Sequence, residues 1–439
     1  MPRRKRRWFL EANNISTPMR FSKLDEWLAW QETLHPKAID LGLARVRKVY
    51  ETLLPDGSAR PFTLTVGGTN GKGSSVALLD SILRNEGYRV GAYTSPHLLR
   101  YNERIKVNGE SADDEAICEA FERIERMRNG TSLSFFEFGT LAALQLFSAS
   151  NLDVQILEVG LGGRLDAVNI IDPDGAMIAS IAIDHRDWFG DSRDAIALEK
   201  GGILRPDKPA IIGDPSPPNS LIDFAKARGI GLSCLGRDFG YERLNDGWNW
   251  FGTGKRLEHL PMPGIAGEHQ LHNASAVIEL LRSVGQYRPV SDASIGKGLE
   301  SVKLAGRYQY FDGPVPVLLD VAHNPQAVEI LADYLRTRFP ERQVHAVFAV
   351  MRDKDIAGII NPMKSLVQRW YFAPIPLART ASEPELLALF HKIGVDNLEG
   401  GFGAATEAFA AAKRNANKDG LVLVFGTFPL VSEFLAHNS

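Results

Sequence analysis

Residues 62–87 read FTLTVGGTNGKGSSVALLDSILRNEG. Five residues rich in β-branched and aromatic types run into four glycines within seven positions, and an amphipathic pattern follows at once. The pattern predicts a strand, a tight loop and a helix over 74–85. A glycine loop between a strand and a helix start aims several backbone N–H groups and the helix dipole at one spot, which suits an anion. Lys72 adds a point charge, and Ser74 offers a hydroxyl to phosphate or Mg²⁺. The spacing departs twice from the usual phosphate loop. Val66 stands where a glycine precedes the Gly-Lys pair by five, and Gly73 separates Lys72 from Ser74. On this loop alone, a plain turn with a surface lysine stays open.

Outward from the loop, strand-like and helical patterns alternate. Two helical patterns precede it, at 22–35 and 40–57, the second ended by Pro55 and Gly57. YRVGAY (88–93), DVQILEV (153–159), AMIASIAI (176–183) and KPAIIG (208–213) read as strands. Helical readings fall at 95–109, 113–128, 136–148 and 191–201. The strand runs are apolar throughout instead of alternating, as expected of parallel strands covered on both faces. From 234 to 263 the chain is polar, aromatic and turn-rich, which predicts short antiparallel strands, and a helix is expected at 273–284.

A second alternating series begins near Val315. It comprises strands at 315–322, 343–350, 368–374 and 420–426, and helices at 325–338, 355–367, 383–392 and 404–417. The expected organisation is a basic tail over 1–20, an α/β domain with a mostly parallel sheet over 21–289, a linker at 290–302, and a C-terminal α/β domain over 303–439.

A chain of 439 residues exceeds what one hydrophobic core usually serves, in agreement with two domains. With 44% hydrophobic and 23% charged residues, the composition is that of an ordinary globular protein. A net charge of −3 gives no overall attraction to nucleic acid or to an anionic membrane. Two distant cysteines, Cys118 and Cys234, suit a reducing cytoplasm better than a disulfide or metal framework. No apolar run is long enough for a membrane span, and the start, MPRRKRRWFLEANN, turns polar too soon for a signal-peptide core. Its basic residues read as a solvated tail, with a nucleic-acid arm as the rival.

Several polar residues fall where strands end, the usual place for ligands in open parallel sheets. Ser95, Glu158 and His185 each follow or close an apolar run, and oxygen ligands with one imidazole suit Mg²⁺ or Mn²⁺. Each alone also fits a capping or strand-end role. The segment EVGLGGR (158–164) imitates a dinucleotide fingerprint, but its sixth position is Leu165, which argues against such a cofactor. Lys200, as an ammonium ion, would repel a metal, so it reads as a helix-terminal lysine. Asp320 and His323 lie at a strand-to-helix passage, and Arg307 lies just after the linker.

Taken together, GGTNGKGSS, YTSPHLLRYNERIKVNG, FFEFGTLAAL, LEVGLGGRLDAVN, IDHRDWFG, EKGGIL, GRYQ, DVAHNP and DKDI resemble the folylpolyglutamate synthases, relatives of the Mur ligases. The resemblance starts near Phe21, covers nearly all of the chain, and is closest to the bacterial bifunctional members. It implies a phosphate-loop, Mur-ligase-like N-terminal domain and a Rossmann-like C-terminal domain. It also implies an ATP-dependent carboxylate–amine ligase, adding L-glutamate to dihydropteroate and reduced folates through an acyl phosphate.

By the same resemblance, Thr69, Asn70, Gly71, Lys72, Gly73 and Ser74 hold ATP phosphates, and Asn273, Arg307, Asp320 and His323 contact the nucleotide. Lys72, Lys200 and His323 are the expected catalytic residues, and Ser95, Glu158 and His185 ligate magnesium, as two ions. Lys200 is expected to carry CO₂ as a carbamate, which removes the electrostatic objection. Ser134, Phe135, Phe136 and Glu137, with Leu165, Asp166 and Ala167, line the dihydropteroate site. The expected partners are small molecules acting on a cytoplasmic monomer. The chain departs from the family pattern at Val168, Ala305, Val350 and Arg352. Two rivals are an enzyme that only extends folates and a nucleotide-driven switch acting on nucleic acid.

Overall fold

The computed structural model describes residues 19–37, 39–54, 60–252 and 254–438. Most of the basic tail, and the helix stops Pro55 and Gly57, lie outside them. The chain forms two units, each with its own sheet. The first takes the chain up to Ile181 with Asp194–Met262 and His272–Val302, and the second takes Ala182–Arg193, Pro263–Leu271 and everything from Lys303.

The first unit is built on β1 (Phe62–Gly67), β2 (Val90–Tyr93), β3 (Ile105–Val107), β4 (Glu110–Ser111), β5 (Val154–Glu158), β6 (Gly175–Ile178), β7 (Ala210–Ile212) and β8 (Leu232–Cys234). Their order is β4-β3-β2-β5-β1-β6-β7-β8. All neighbours from β2 to β8 pair in parallel, and β3 and β4 form an antiparallel edge. Strands β1, β2, β5, β6 and β7 are almost wholly buried, which accounts for their unbroken apolar runs. The turn-rich stretch forms a separate antiparallel sheet of β9 (Phe239–Leu244), β10 (Gly247–Gly252) and β11 (Lys255–Leu260), as its composition predicts.

Helix Lys72–Glu86 follows β1 directly. Helix Asp292–Ser301, within the stretch read as a linker, packs against it. A Cβ on Gly298 would stand 2.5 Å from the Ile82 Cα, so only glycine permits so close a crossing. Ser81 Oγ donates to the Gly298 carbonyl at 2.8 Å across it.

The second unit holds β12 (Gln309–Phe311), β13 (Val317–Leu319), β14 (Gln343–Phe348), β15 (Val367–Phe372), β16 (Leu398–Glu399) and β17 (Gly420–Phe425). Their order is β12-β13-β17-β14-β15-β16, parallel except for β12. Phe348, Trp370, Phe390 and Phe425 form an aromatic core, in which Trp370 meets Phe390 edge-on with centroids 4.9 Å apart.

Three local expectations are corrected. The segment 95–109 is not helical: a short turn of helix at Tyr101–Arg104 leads into β3. Asn108 and Gly109 then both take positive φ, the two-residue hairpin signature that sends the chain back as β4. The helix expected over 355–367 covers only Ile356–Ile360, because Pro362 cannot continue it. A C-terminal helix, Phe428–Asn438, was not foreseen, although it buries Leu430, Val431, Phe434 and Leu435 at helical spacing.

Candidate active site

In the first unit the glycine loop leaves β1 and enters its helix through Gly71, which has φ +85° and is the helix N-cap. Any side chain at Gly71 would meet the carboxamide oxygen of Asn273, so glycine lets that buried residue lie against the loop. Thr69 N donates to the Ser180 carbonyl at 2.7 Å, and Asn70 N to the Ser180 hydroxyl at 3.0 Å, fixing the loop against the end of β6. Lys72 Nζ donates to the carbonyls of Gly68 and Thr69, both at 3.0 Å, so its charge is held over the loop. Ser74 is buried in the first helical turn.

Glu158 ends β5, in register with Val66 of β1, and is 4% exposed. Its Oε2 accepts the Ser95 N–H at 3.1 Å, and its Oε1 lies 3.9 Å from where a Gly73 side chain would begin. The fold thus gathers Ser95, Glu158 and the lysine-bearing loop at the carboxyl ends of β1, β2 and β5. Lys200 is buried in the last turn of helix Arg193–Gly201, packed so close to Gly163 that a Cβ there would stand 3.0 Å from the Lys200 Cα.

Beside this lie the segments expected to hold dihydropteroate. Ser134 caps helix Phe135–Ala149 in a reciprocal pair with Glu137. Phe136 stacks near Tyr93, at 5.8 Å, and against Gly160, where any Cβ would collide with its ring. Phe135 lies against Tyr101, with the Arg104 guanidinium 5.6 Å from its ring. Asp166 is buried and accepts from Leu161 N at 2.8 Å and Val168 N at 3.0 Å. Burial pushes its carboxyl up to about 7, against the pull of those N–H groups and the Lys72 charge. Leu165 is half-buried, while Ala167 and Val168 are buried.

His185, Arg307, Asp320 and His323 belong to the second unit, so Ser95, Glu158 and His185 do not form a cluster within either unit. Among the described residues, no group of three or more His, Cys, Asp and Glu side chains forms a ready metal cage. His185 has φ +53°, and its N–H donates to the Asp184 carboxylate at 2.8 Å. Asp184 also accepts from Lys354 Nζ at 2.6 Å and Asn324 Nδ2 at 3.3 Å, with His323 Nε2 at 3.7 Å.

The Asp184 carboxyl is buried, which raises its pKa, but Lys354 and the two histidines outweigh that and hold it well below the usual range. Burial, then the Lys354 charge, lowers His323 to about 4, so its ring is neutral near pH 7. Asp320 accepts from Tyr308 N at 3.1 Å and Ala322 N at 2.7 Å; burial raises its carboxyl and Arg307 opposes this. The guanidinium of Arg307 lies 5.7 Å from the Phe428 ring.

Residues 306–428 match the Mur ligase, glutamate ligase domain. Over 421 residues the chain is 42% identical to the dihydrofolate synthase/folylpolyglutamate synthase of Escherichia coli K12, covering 95% of this chain and 96% of that protein. The chain belongs to the dihydrofolate synthase/folylpolyglutamate synthase family. A structure of E. coli FolC in complex with DHPP and ADP superimposes with a TM-score of 0.90 at 41% identity, covering 96% of this chain and all of that one. A bifunctional folylpolyglutamate synthase/dihydrofolate synthase with Mn, AMPPNP and L-glutamate bound gives 0.88 at 39% identity, over 96% and 99% of the two chains. The mostly parallel first sheet and separate C-terminal α/β unit are thus the architecture of the folylpolyglutamate synthases.

Against this family background, the departures have local explanations. Val168 fills a fully buried position where a hydroxyl would need a partner. Arg352 pairs with Glu385 at 2.9 Å, and Val350 is buried in the core of the second unit, while Ala305 is exposed. Sequence reasoning missed Asp184, Asn324 and Lys354 as candidate site residues. Asp184 and Lys354 lie inside the motifs IDHRDWFG and DKDI, yet their pairing spans 170 positions, and no local pattern announces that.

Proposed function

We propose that this chain is an ATP-dependent amide ligase that adds L-glutamate to 7,8-dihydropteroate, giving dihydrofolate, and to reduced folates, giving polyglutamates. The observation that carries the reading is the meeting of the Lys72 loop, Glu158 and Ser95 at the strand ends, in a chain aligned almost end to end with relatives of that name. A carboxylate is inert to amines until one oxygen becomes a good leaving group. ATP phosphorylates it to an acyl phosphate, and the glutamate amine then displaces phosphate. Phosphoryl transfer is mainly positioning and charge stabilisation.

In this reading Thr69–Ser74 hold the phosphates, through the loop amides from Gly71 onward and the Lys72 ammonium, while the Thr69 and Asn70 amides pin the loop to Ser180. Asn273, Arg307 and Asp320 bind the rest of ATP, and His323 is catalytic. Ser134–Glu137 and Leu165–Ala167 take dihydropteroate. Hard oxygens on Ser95 and Glu158, with the His185 imidazole, fit Mg²⁺ or Mn²⁺, and Gly73 leaves the Glu158 carboxylate uncrowded. Two such cations would supply charge neutralisation across the phosphates.

Lys200 is the candidate for a carbamate, since the CO₂ adduct is an anion where the ammonium ion would repel a cation. The division into an ATP-binding domain at 21–289, a linker at 290–302 and a C-terminal domain at 303–439 is part of the same proposal, as is a cytoplasmic location, which the two free buried cysteines favour. No helix among the described residues is long and apolar enough to cross a membrane.

The test is ATP turnover with dihydropteroate, glutamate and Mg²⁺ each omitted in turn. Turnover should need all three. Turnover with tetrahydrofolate but not dihydropteroate would reduce the enzyme to a folate extender, and turnover indifferent to glutamate would sink the ligase reading.

A further inference from the structure

Arg45, at the start of helix Ala44–Leu53, stands outside every motif considered so far. Its Nε donates to Glu137 Oε2 at 3.0 Å, and its terminal nitrogens donate to the carboxylate and the carbonyl of Asp40. The guanidinium therefore fastens two pieces of chain 92 positions apart, the loop before its own helix and the first turn of helix Phe135–Ala149. The network extends further: His35 bridges Asp40 at 3.1 Å and the Ser132 hydroxyl at 2.7 Å.

Glu137 is 3% exposed, and among the described residues its Oε1 has no hydrogen-bond partner while its Oε2 accepts from Arg45 and from Ser134 N, the latter at 2.8 Å. Without Arg45, a buried carboxylate would keep one backbone N–H, too little to offset its desolvation. It would have to take up a proton or swing out, and the first helical turn would lose its reciprocal cap. That turn carries Phe135 and Phe136. Helix Ala44–Leu53, helix Phe135–Ala149 and the turn opened by Asp166 all pack on one another. Leu41 and Leu43 of the fastened loop are half-buried.

We propose that Arg45 is a positioning residue for the pterin-bearing substrate. By clamping Glu137 and the loop at 39–43 together, it fixes the aromatic first turn against which a flat heterocycle would stack. The guanidinium acts through Glu137 and touches neither ATP nor the transferred phosphoryl group. This rests on the ligase reading above and adds to it a determinant of affinity for one substrate only.

The experiment is steady-state kinetics of wild type, Arg45→Lys, Arg45→Gln, Glu137→Gln and the double variant Arg45→Gln/Glu137→Gln. Losing a charge-assisted hydrogen bond should raise KM for dihydropteroate in Arg45→Gln by about tenfold or more. KM for ATP and for glutamate, and kcat at saturation, should stay near wild type. Arg45→Lys should recover part of the loss. The double variant should be no worse than Arg45→Gln alone, as expected for a pair acting as one unit. An unchanged KM for dihydropteroate, or equal losses for all three substrates, would overturn the proposal. Should Arg45→Gln fail to fold, Arg45→Lys gives the same selective readout. A wild type that cannot use dihydropteroate sinks the ligase reading and this proposal together, whereas an active wild type with indifferent variants sinks this proposal alone.

Discussion

Lys72 and Asp166 show how differently two neighbouring charges depend on the fold. Lys72 Nζ bonds to carbonyls of its own loop and its side chain is half-buried, outside the hydrophobic core. Lys72→Ala should therefore melt within a few degrees of wild type yet lose about a hundredfold or more in kcat, the scale of removing one group that stabilises transition-state charge. Melting curves and single-turnover rates on one preparation check both halves. Asp166 carries a pH signature. Its carboxyl titrates near 7 in the folded chain against an ordinary 3.8, so the folded state binds the proton more tightly than the unfolded one. Its contribution thus makes the protein more stable as pH falls from about 7 towards 4. In denaturant titrations across that range, Asp166→Asn should remove this component, leaving the acid-side loss from His323, whose folded ring resists the proton down to about 4. Parallel curves for both proteins would contradict the assignment.

Elements were legible in the sequence where local chemistry and burial agree. The buried parallel strands and the helices Pro325–Arg338 and Glu383–Lys392 follow from apolar runs, caps and proline positions alone. The hairpin of β3 and β4 was hidden because its leucine- and arginine-rich approach imitates a helix, while the deciding signal is the pair Asn108–Gly109. Gly109 has φ +78°, and a Cβ there would come within 2.8 Å of the Arg84 guanidinium. Gly109→Ala should accordingly cost about 1–2 kcal/mol in urea unfolding, with ligation intact. The candidate site was legible where residues sit in motifs, such as Lys72, Glu158 and Asp320. It was not legible at Arg45, Asp184 and Lys354, whose meaning lies in partners 92 or 170 positions away.

At the scale of the whole molecule, the charge balance and the connectivity each have a consequence. A net charge of −3 gives no overall attraction to a polynucleotide, so ATP turnover should be indifferent to added DNA or RNA at physiological salt. Stimulation of several-fold would reopen the switch reading. Connectivity matters more for how the molecule is made. The last strand of the chain, β17, is not at an edge but between β13 and β14, hydrogen-bonded to both. On the ribosome, the second sheet therefore remains in two halves with unpaired inner edges until β17 itself emerges. A chain stopped after Asp419 lacks under a twentieth of the sequence, yet it should leave the C-terminal unit unassembled and the product insoluble. A premature stop at codon 420 would then act as a null allele, as damaging as one in the glycine loop.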